Sequence, residues 1–214
     1  MKMLLNADLG EGEPEERTAA LMRLIDLANV ACGGHAGNRE SMERCARLAA
    51  EHGVKLGAHP GLAADFGRGR ADIDASALRA LVQEQTSTLA AVAPLHHIKL
   101  HGALYHAVES SEALAHAYVD TVREVFPGLA IVAFAGGRVL PAARKLGMQA
   151  LAEVFAERGY REDGSLIPRG EPGALIDDPA EVVARLPSLR GDTICVHSDS
   201  PNALAIARAV RAAL

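Results

Sequence analysis

Asp8, Glu11, His35, His59, Lys99, His101, Glu153, Arg158, His197 and Asp199 sit at or just past the ends of short apolar runs. Their types suit one kind of work. Imidazole titrates near neutrality and also ligates metals, so His35, His59, His101 and His197 among carboxylates suit acid–base chemistry or a divalent cation. A cation, if held, would draw its ligands from Asp8, His35, His59 and His101. No HxxxH or HExxH spacing occurs, so those ligands must come from separate loops. Asp8 and Glu11 form an acidic pair three residues apart. Division of labour in such a pair requires one carboxylate to stay ionised while burial and its neighbour raise the other.

In an extended chain Asn6 shares its side with Asp8, and Lys99 shares its side with His101. Lys99 is an ion-pair partner, an anion holder or, when desolvated, a Schiff-base amine. Arg68, Arg70, Arg158 and Arg169 are candidates for a bidentate grip on a carboxylate or phosphate. The glycine-rich segments contain neither GxxxxGK[ST] nor a GxGxxG after a strand, and no GxSxG elbow exists. Cys32 lies close to His35 in sequence, a spacing that carries little weight for a nucleophile.

These residues need a frame that gathers them. Apolar runs cover residues 3–7, 28–32, 54–58, 97–100, 130–135, 150–155 and 193–196, each followed by a helix-patterned stretch. Parallel strands bring their carboxyl ends to one face, where the following loops build a site. The pattern predicts a seven-stranded parallel β/α barrel in a single domain spanning residues 1–214; an open doubly wound sheet fits the same periodicity. Pro14 opens a first helix whose apolar face carries Leu21, Leu24, Ile25 and Leu27. Asn38 caps the second and Gly53 ends it. Asp74 or Ser76 starts the third, and one helix after the fourth run extends to Pro127-Gly128. Residues 156–176 form a long irregular stretch, the kind used for binding loops. Asp177 or Asp178 caps a short helix, and an Ala-rich helix from Pro201 finishes the chain.

With 214 residues, 49% hydrophobic and only 3% aromatic, the core is built from Ala, Leu and Val. The net charge of −5 disfavours nucleic acid and anionic membranes as partners. Cys32, Cys45 and Cys195 show no CxxC spacing, which argues against a disulfide framework or a thiolate zinc site. Neither a signal peptide nor an apolar stretch of about 18–20 residues is present, so a cytoplasmic protein is expected.

The segments Leu5-Asn6-Ala7-Asp8-Leu9-Gly10-Glu11, Ala28-Asn29-Val30-Ala31-Cys32-Gly33-Gly34-His35-Ala36-Gly37 and Gly57-Ala58-His59-Pro60-Gly61 resemble the LamB/YcsF family. So do Lys99-Leu100-His101-Gly102-Ala103-Leu104-Tyr105, Glu153-Val154-Phe155-Ala156-Glu157-Arg158-Gly159-Tyr160, Pro168-Arg169 and Thr193-Ile194-Cys195-Val196-His197-Ser198-Asp199-Ser200-Pro201. The resemblance spans the chain in order. It implies a barrel similar to those of glycoside hydrolases and polysaccharide deacetylases. It further implies the A subunit of an ATP-dependent 5-oxoprolinase, opening the lactam of 5-oxoproline to L-glutamate with ATP as co-substrate and separate B and C subunits as partners.

Carried over by position, the pocket holds Asn6, Asp8, Glu11, His35, His59, Lys99, His101, Glu153, Arg158, His197 and Asp199. Within it Asp8 or Glu11 would be the general base, His59 or His101 the acid, and Lys99 or an arginine the holder of the substrate carboxylate. The chain departs from the family's pattern at Gly34, where an aromatic is common, at Leu100, where Pro is common, and in the short segment Gly12-Glu13-Pro14-Glu15. Two other readings stay open. One is a metal-dependent deacetylase or amidohydrolase acting on another amide; the other is a non-catalytic substrate-binding subunit.

Overall fold

The computed structural model describes residues 2–63, 71–198, 200 and 202–214. The candidates Arg68, Arg70 and Asp199, and the helix start at Pro201, lie outside them. Strands β1 (Leu4–Leu9), β2 (Leu27–Ala31), β3 (Lys55–His59), β4 (His97–Ile98), β5 (Ala130–Phe134), β6 (Ala150–Phe155) and β7 (Thr193–His197) pair in that order, all parallel. β7 also pairs with β1, from Leu4↔Thr193 to Asp8↔His197. That pairing closes the barrel and removes the open-sheet alternative.

Helices α1 (Glu15–Met22), α2 (Arg39–His52), α3 (Ala75–Ala90), α4 (Gly102–Ser110), α5 (Glu112–Val125), α6 (Val139–Lys145), α7 (Pro179–Arg185) and α8 (Ala203–Ala213) complete the chain. Among the described residues no helix is long and apolar enough to cross a membrane.

Alternation along the strands sorts two environments. Leu5, Ala7, Leu9, Val30, Ala58, Ile98, Ile131, Ile194 and Val196 are buried in the apolar core. The intervening residues are polar and equally buried: Asn6, Asp8, Asn29, His97, Lys99, Glu153 and Thr193. Burying polar groups is tolerable only when they bond to one another, and most of these do. Asn6 Nδ2 donates to Thr193 Oγ1 at 2.8 Å, and Asn29 Nδ2 donates to Asn6 Oδ1 and to Asp8 Oδ1, each at 2.8 Å. His97 Nε2 lies 2.8 Å from Asn29 Oδ1, an amide oxygen that can only accept, so Nε2 carries the proton. Burial pushes His97 down to about 3, which keeps the ring neutral. Gly57 makes room for that ring: a Cβ there would lie 2.2 Å from His97 Nε2.

Local signals hold at the caps. Asn38 and Ser41 cap α2 reciprocally, and Gly53 ends it at φ 68°. Asp74 accepts from Ala77 N at the start of α3, and Asp178 from Ala180 N at the start of α7. Two expectations need correction. The first helix stops at Met22, and Leu27 opens β2 instead. Asp26 makes that turn, accepting from Leu5 N at 2.8 Å and from Arg211 Nη2 at 2.7 Å. The single helix after the fourth run is two, α4 and α5. Ser111 between them is extended (φ −126°, ψ 119°), ending α4 and capping α5 through Leu114 N.

Candidate functional site

The carboxyl ends of β1, β4, β6 and β7 bring a charged group to the barrel mouth. Lys99 Nζ is buried 2.8 Å from Asp8 Oδ1, 2.9 Å from Glu153 Oε1 and 3.2 Å from Cys195 Sγ. One ammonium thus faces two carboxyl groups. Burial alone would raise Asp8, but His59 and Lys99 outweigh it and hold the carboxyl well below its usual range. Burial wins at Glu153, whose pKa rises despite Lys99 and Tyr105, with the neighbouring Asp8 charge pushing the same way. Asp8 is thus the carboxyl with the lowered proton affinity and Glu153 the one with the raised affinity.

This alters the expected division of labour. Glu11 is not the raised carboxyl: burial pushes it up, but hydrogen bonds to His101 and His35 and the nearby His59 drive it strongly down. The pair with opposed proton affinities is Asp8 and Glu153, set across Lys99.

Beside Asp8, three imidazoles converge on Glu11 Oε1, with His35 Nε2 at 2.8 Å, His101 Nδ1 at 3.2 Å and His59 Nε2 at 3.6 Å. His35 and His101 stack face to face, centroids 3.6 Å apart and 4° from parallel, with His59 edge-on to both. Glu11 is placed by a tight turn in which Gly10 and Gly12 take φ of 76° and 102°. The Glu13 carboxylate fixes that turn by accepting from Gly10 N and Glu11 N.

On the other side of Asp8 stands His197. One ligand-type atom each from Asp8, Cys195 and His197 lie within 4.8 Å of one another. Glu157, buried, accepts from His197 N at 2.7 Å and lies 2.6 Å from His197 Nδ1. The ring stacks on Phe155 with centroids 5.5 Å apart. Burial alone would lower His197, but Glu157 more than compensates and raises it; Glu157 is lowered in turn by His197. A raised histidine contributes stability in full below the ordinary imidazole value and loses it as pH rises through the folded value. A lowered carboxyl contributes above its ordinary value and loses it as pH falls through the folded one. The pair therefore contributes in full between about pH 4.3 and 6.5. Glu157→Gln should flatten urea-denaturation stability on both sides of that window; an unchanged pH profile would contradict the pairing.

Two cavities open above these groups. A small one of about 60 Å³ is lined by Asp8, His59, Lys99, His101, Phe155 and His197, among others. A larger one of about 580 Å³ adjoins it and is bounded by Phe134, Gly136, Gly137 and Ser165. Tyr105, His106, Arg158, Leu166 and Arg169 line both. Residues 156–176 roof them, folded back through antiparallel bridges Arg158↔Leu175 and Tyr160↔Leu166. Arg158 braces this roof by donating to Ala174 O at 3.2 Å and Ile167 O at 2.7 Å.

Of the residues singled out from sequence, Asp8, Glu11, His35, His59, Lys99, His101, Glu153 and His197 come together here, and Arg158 lines the cavities above them. Asn6 lies one layer deeper, bonded to Asn29 and Thr193. Asn29, His97, Tyr105 and Glu157 were missed. His97 was readable from its shared parity with Lys99, and Asn29 as the one polar residue in an apolar run. Cys32 is no nucleophile partner of His35: its thiol donates to Val30 O and accepts from His59 N, and burial pushes it up to about 12.

A closed parallel β/α barrel with a buried acid–base group at the carboxyl ends of its strands is the layout of a barrel enzyme. The chain belongs to the LamB/YcsF family, whose model matches residues 3–214. It is similar to a lactam utilization protein from Thermus thermophilus, with 37% identity and a TM-score of 0.90, covering 100% of this chain and 96% of that one. A truncated 3-deoxy-D-arabino-heptulosonate 7-phosphate synthase from Thermotoga maritima shares the barrel alone: 10% identity, TM-score 0.50, covering 99% of this chain and 83% of the other.

Proposed function

We propose that this chain hydrolyses a cyclic amide, opening 5-oxoproline to L-glutamate as the A subunit of a cytoplasmic, ATP-coupled 5-oxoprolinase with separate B and C subunits. Family membership and the likeness to a lactam utilization protein support the substrate class. One observation carries the chemistry: Asp8, with its proton affinity lowered, and His197, with its proton affinity raised by Glu157, share one small cavity at the barrel mouth.

Lactam hydrolysis needs a positioned water, a proton acceptor and an acid for the leaving nitrogen. Asp8 Oδ1 is engaged by Lys99 and Asn29 at 2.8 Å, while Oδ2 meets His59 Nε2 more loosely, at 3.4 Å; Oδ2 is the oxygen that takes a proton from the attacking water. Hydroxide oxygen adds to the carbonyl carbon. As the C–N bond breaks, His197 gives its proton to the nitrogen, and Asp8 returns the water's proton to His197. The products are a carboxylic acid and an amine, with no proton gained or lost.

The acid role thus moves from His59 or His101 to His197, because Glu157 raises that ring's proton affinity against the effect of burial. Arg158 and Arg169 line the approach and hold the substrate carboxylate, while Lys99 is occupied with Asp8 and Glu153. ATP, as co-substrate, would activate the carbonyl by phosphorylating its oxygen; loss of the ring nitrogen then leaves an acyl phosphate, and a second water releases inorganic phosphate and the free carboxylate, with nucleotide supplied through the B and C subunits. A divalent ion held by Glu11, His35, His59 and His101 would polarise the carbonyl, and none of the proton transfers above requires it.

The test follows glutamate released from 5-oxoproline with and without ATP and the two partner subunits. Release only in the complete mixture supports the proposal. Binding of 5-oxoproline without turnover in that mixture would make the chain a binding subunit instead.

A further inference from the structure

We infer that Glu11, His35, His59 and His101 form a binding site for one divalent transition-metal ion. The inference rests on the geometry of these four side chains and holds whichever amide is cleaved. One ligand-type atom from each lies within 4.8 Å of all the others. The separations are more telling than the cluster. Glu11 Oε1 is 2.8, 3.2 and 3.6 Å from the nitrogens of His35, His101 and His59, and His101 Nδ1 is 3.1 Å from His59 Nε2. Bonds of about 2.0–2.2 Å to a tetrahedral ion put neighbouring ligand atoms about 3.3–3.6 Å apart. The spacing thus nearly matches, and turning one ring of the stacked His35–His101 pair about its Cβ–Cγ bond, so that the planes are no longer parallel, brings its lone pair onto the common centre.

Hydrogen bonding fixes the presentation of His59. Its Nδ1 lies 2.9 Å from the Lys99 carbonyl oxygen, which can only accept, so Nδ1 is the protonated nitrogen. In the neutral ring the lone pair is then on Nε2, facing Glu11 and His101. A ligating histidine is oriented by its second nitrogen in this way. Three imidazole nitrogens crowd a single carboxylate oxygen, more than its two lone pairs serve well. A shared cation resolves the crowding, since each nitrogen then directs a lone pair at a common centre.

The backbone makes room for the same arrangement. A Cβ on Gly61 would lie 2.3 Å from His35 Nδ1 and 3.0 Å from His101 Cβ, so only glycine there admits the stacked pair. Three imidazoles with one carboxylate select zinc, cobalt or iron over magnesium and calcium, which demand oxygen ligands. Asp8 is tied through Oδ1 to Lys99 and Asn29, and its Oδ2 borders the set, 3.4 Å from His59 Nε2.

The test uses the full-length protein stripped with a chelator, then titrated with Co²⁺ followed by visible absorption and with Zn²⁺ followed by calorimetry. One equivalent of each should bind, and bound Co²⁺ should show the intense ligand-field bands of a tetrahedral centre. His35→Gln and Glu11→Gln, each checked for folding by circular dichroism, should weaken binding by about 10-fold or more. No saturable binding by the stripped wild type would overturn the inference. So would full affinity in both variants with loss in His197→Gln, which would move the ion to the Asp8–Cys195–His197 cluster. Neither readout involves turnover, so failure here leaves the Asp8–His197 chemistry standing, and failure of that chemistry leaves this site standing.

Discussion

Asp8→Asn is expected to lower turnover by about 10²–10⁴-fold, the usual contribution of a positioned proton acceptor, while the protein still folds. Two features make the substitution clean. Asparagine keeps an oxygen able to accept from Asn29 and Lys99, which now meet Asp8 Oδ1 at 2.8 Å. The Lys99 charge also retains a partner. With Asp8 neutral, Glu153 2.9 Å away loses the neighbouring charge that helps to raise it and pairs with Lys99 as the carboxylate. The barrel centre thus stays electrically balanced. Urea denaturation run beside kcat separates the effects: turnover should collapse with a small change in midpoint. A variant that keeps its rate would remove Asp8 from the chemistry.

Lys99→Met should have the opposite signature, a large loss of stability. It removes the ammonium from a centre where Asp8 and Glu153 are both buried. Breaking a buried ion pair from one side costs about 3–5 kcal/mol, because the remaining charge is stranded. Burial already raises Glu153, so the stranded charge is that of Asp8. Adding Asp8→Asn to Lys99→Met should therefore recover most of the lost stability by leaving an uncharged centre. A double variant no more stable than the single one would mean that Lys99 acts through packing, not through charge.

The barrel was legible because it is written locally. Seven apolar runs end in polar residues, and caps such as Asn38 and Gly53 sit where helix termini need them. Period-two spacing correctly put Asn6 and Asp8 on one side of β1. The same rule put Lys99 and His101 together, and both line the small cavity, though they reach different carboxylates. β4 ends at Ile98 and His101 is the N-cap residue of α4, so Lys99 turns into the barrel while His101 turns to Glu11. The opposition of Asp8 and Glu153 was invisible because it arises only on closure, when β6, β7 and β1 become neighbours. Glu157 was missed for a related reason. It lies in an irregular stretch without periodicity, and its partner His197 is 40 residues away in sequence. Register across a closed barrel, not residue type, decides which groups share a proton.

Lactam opening in the cavity beside Asp8 and His197, as proposed above, is tested most directly by mixing the purified chain with 5-oxoprolinase B and C subunits, ATP and isotopically labelled 5-oxoproline, and following labelled glutamate. The wild-type chain should release glutamate with matching ATP consumption, and the Asp8→Asn chain should release almost none. Equal release from both chains, or none from the wild type in the complete mixture, would contradict it.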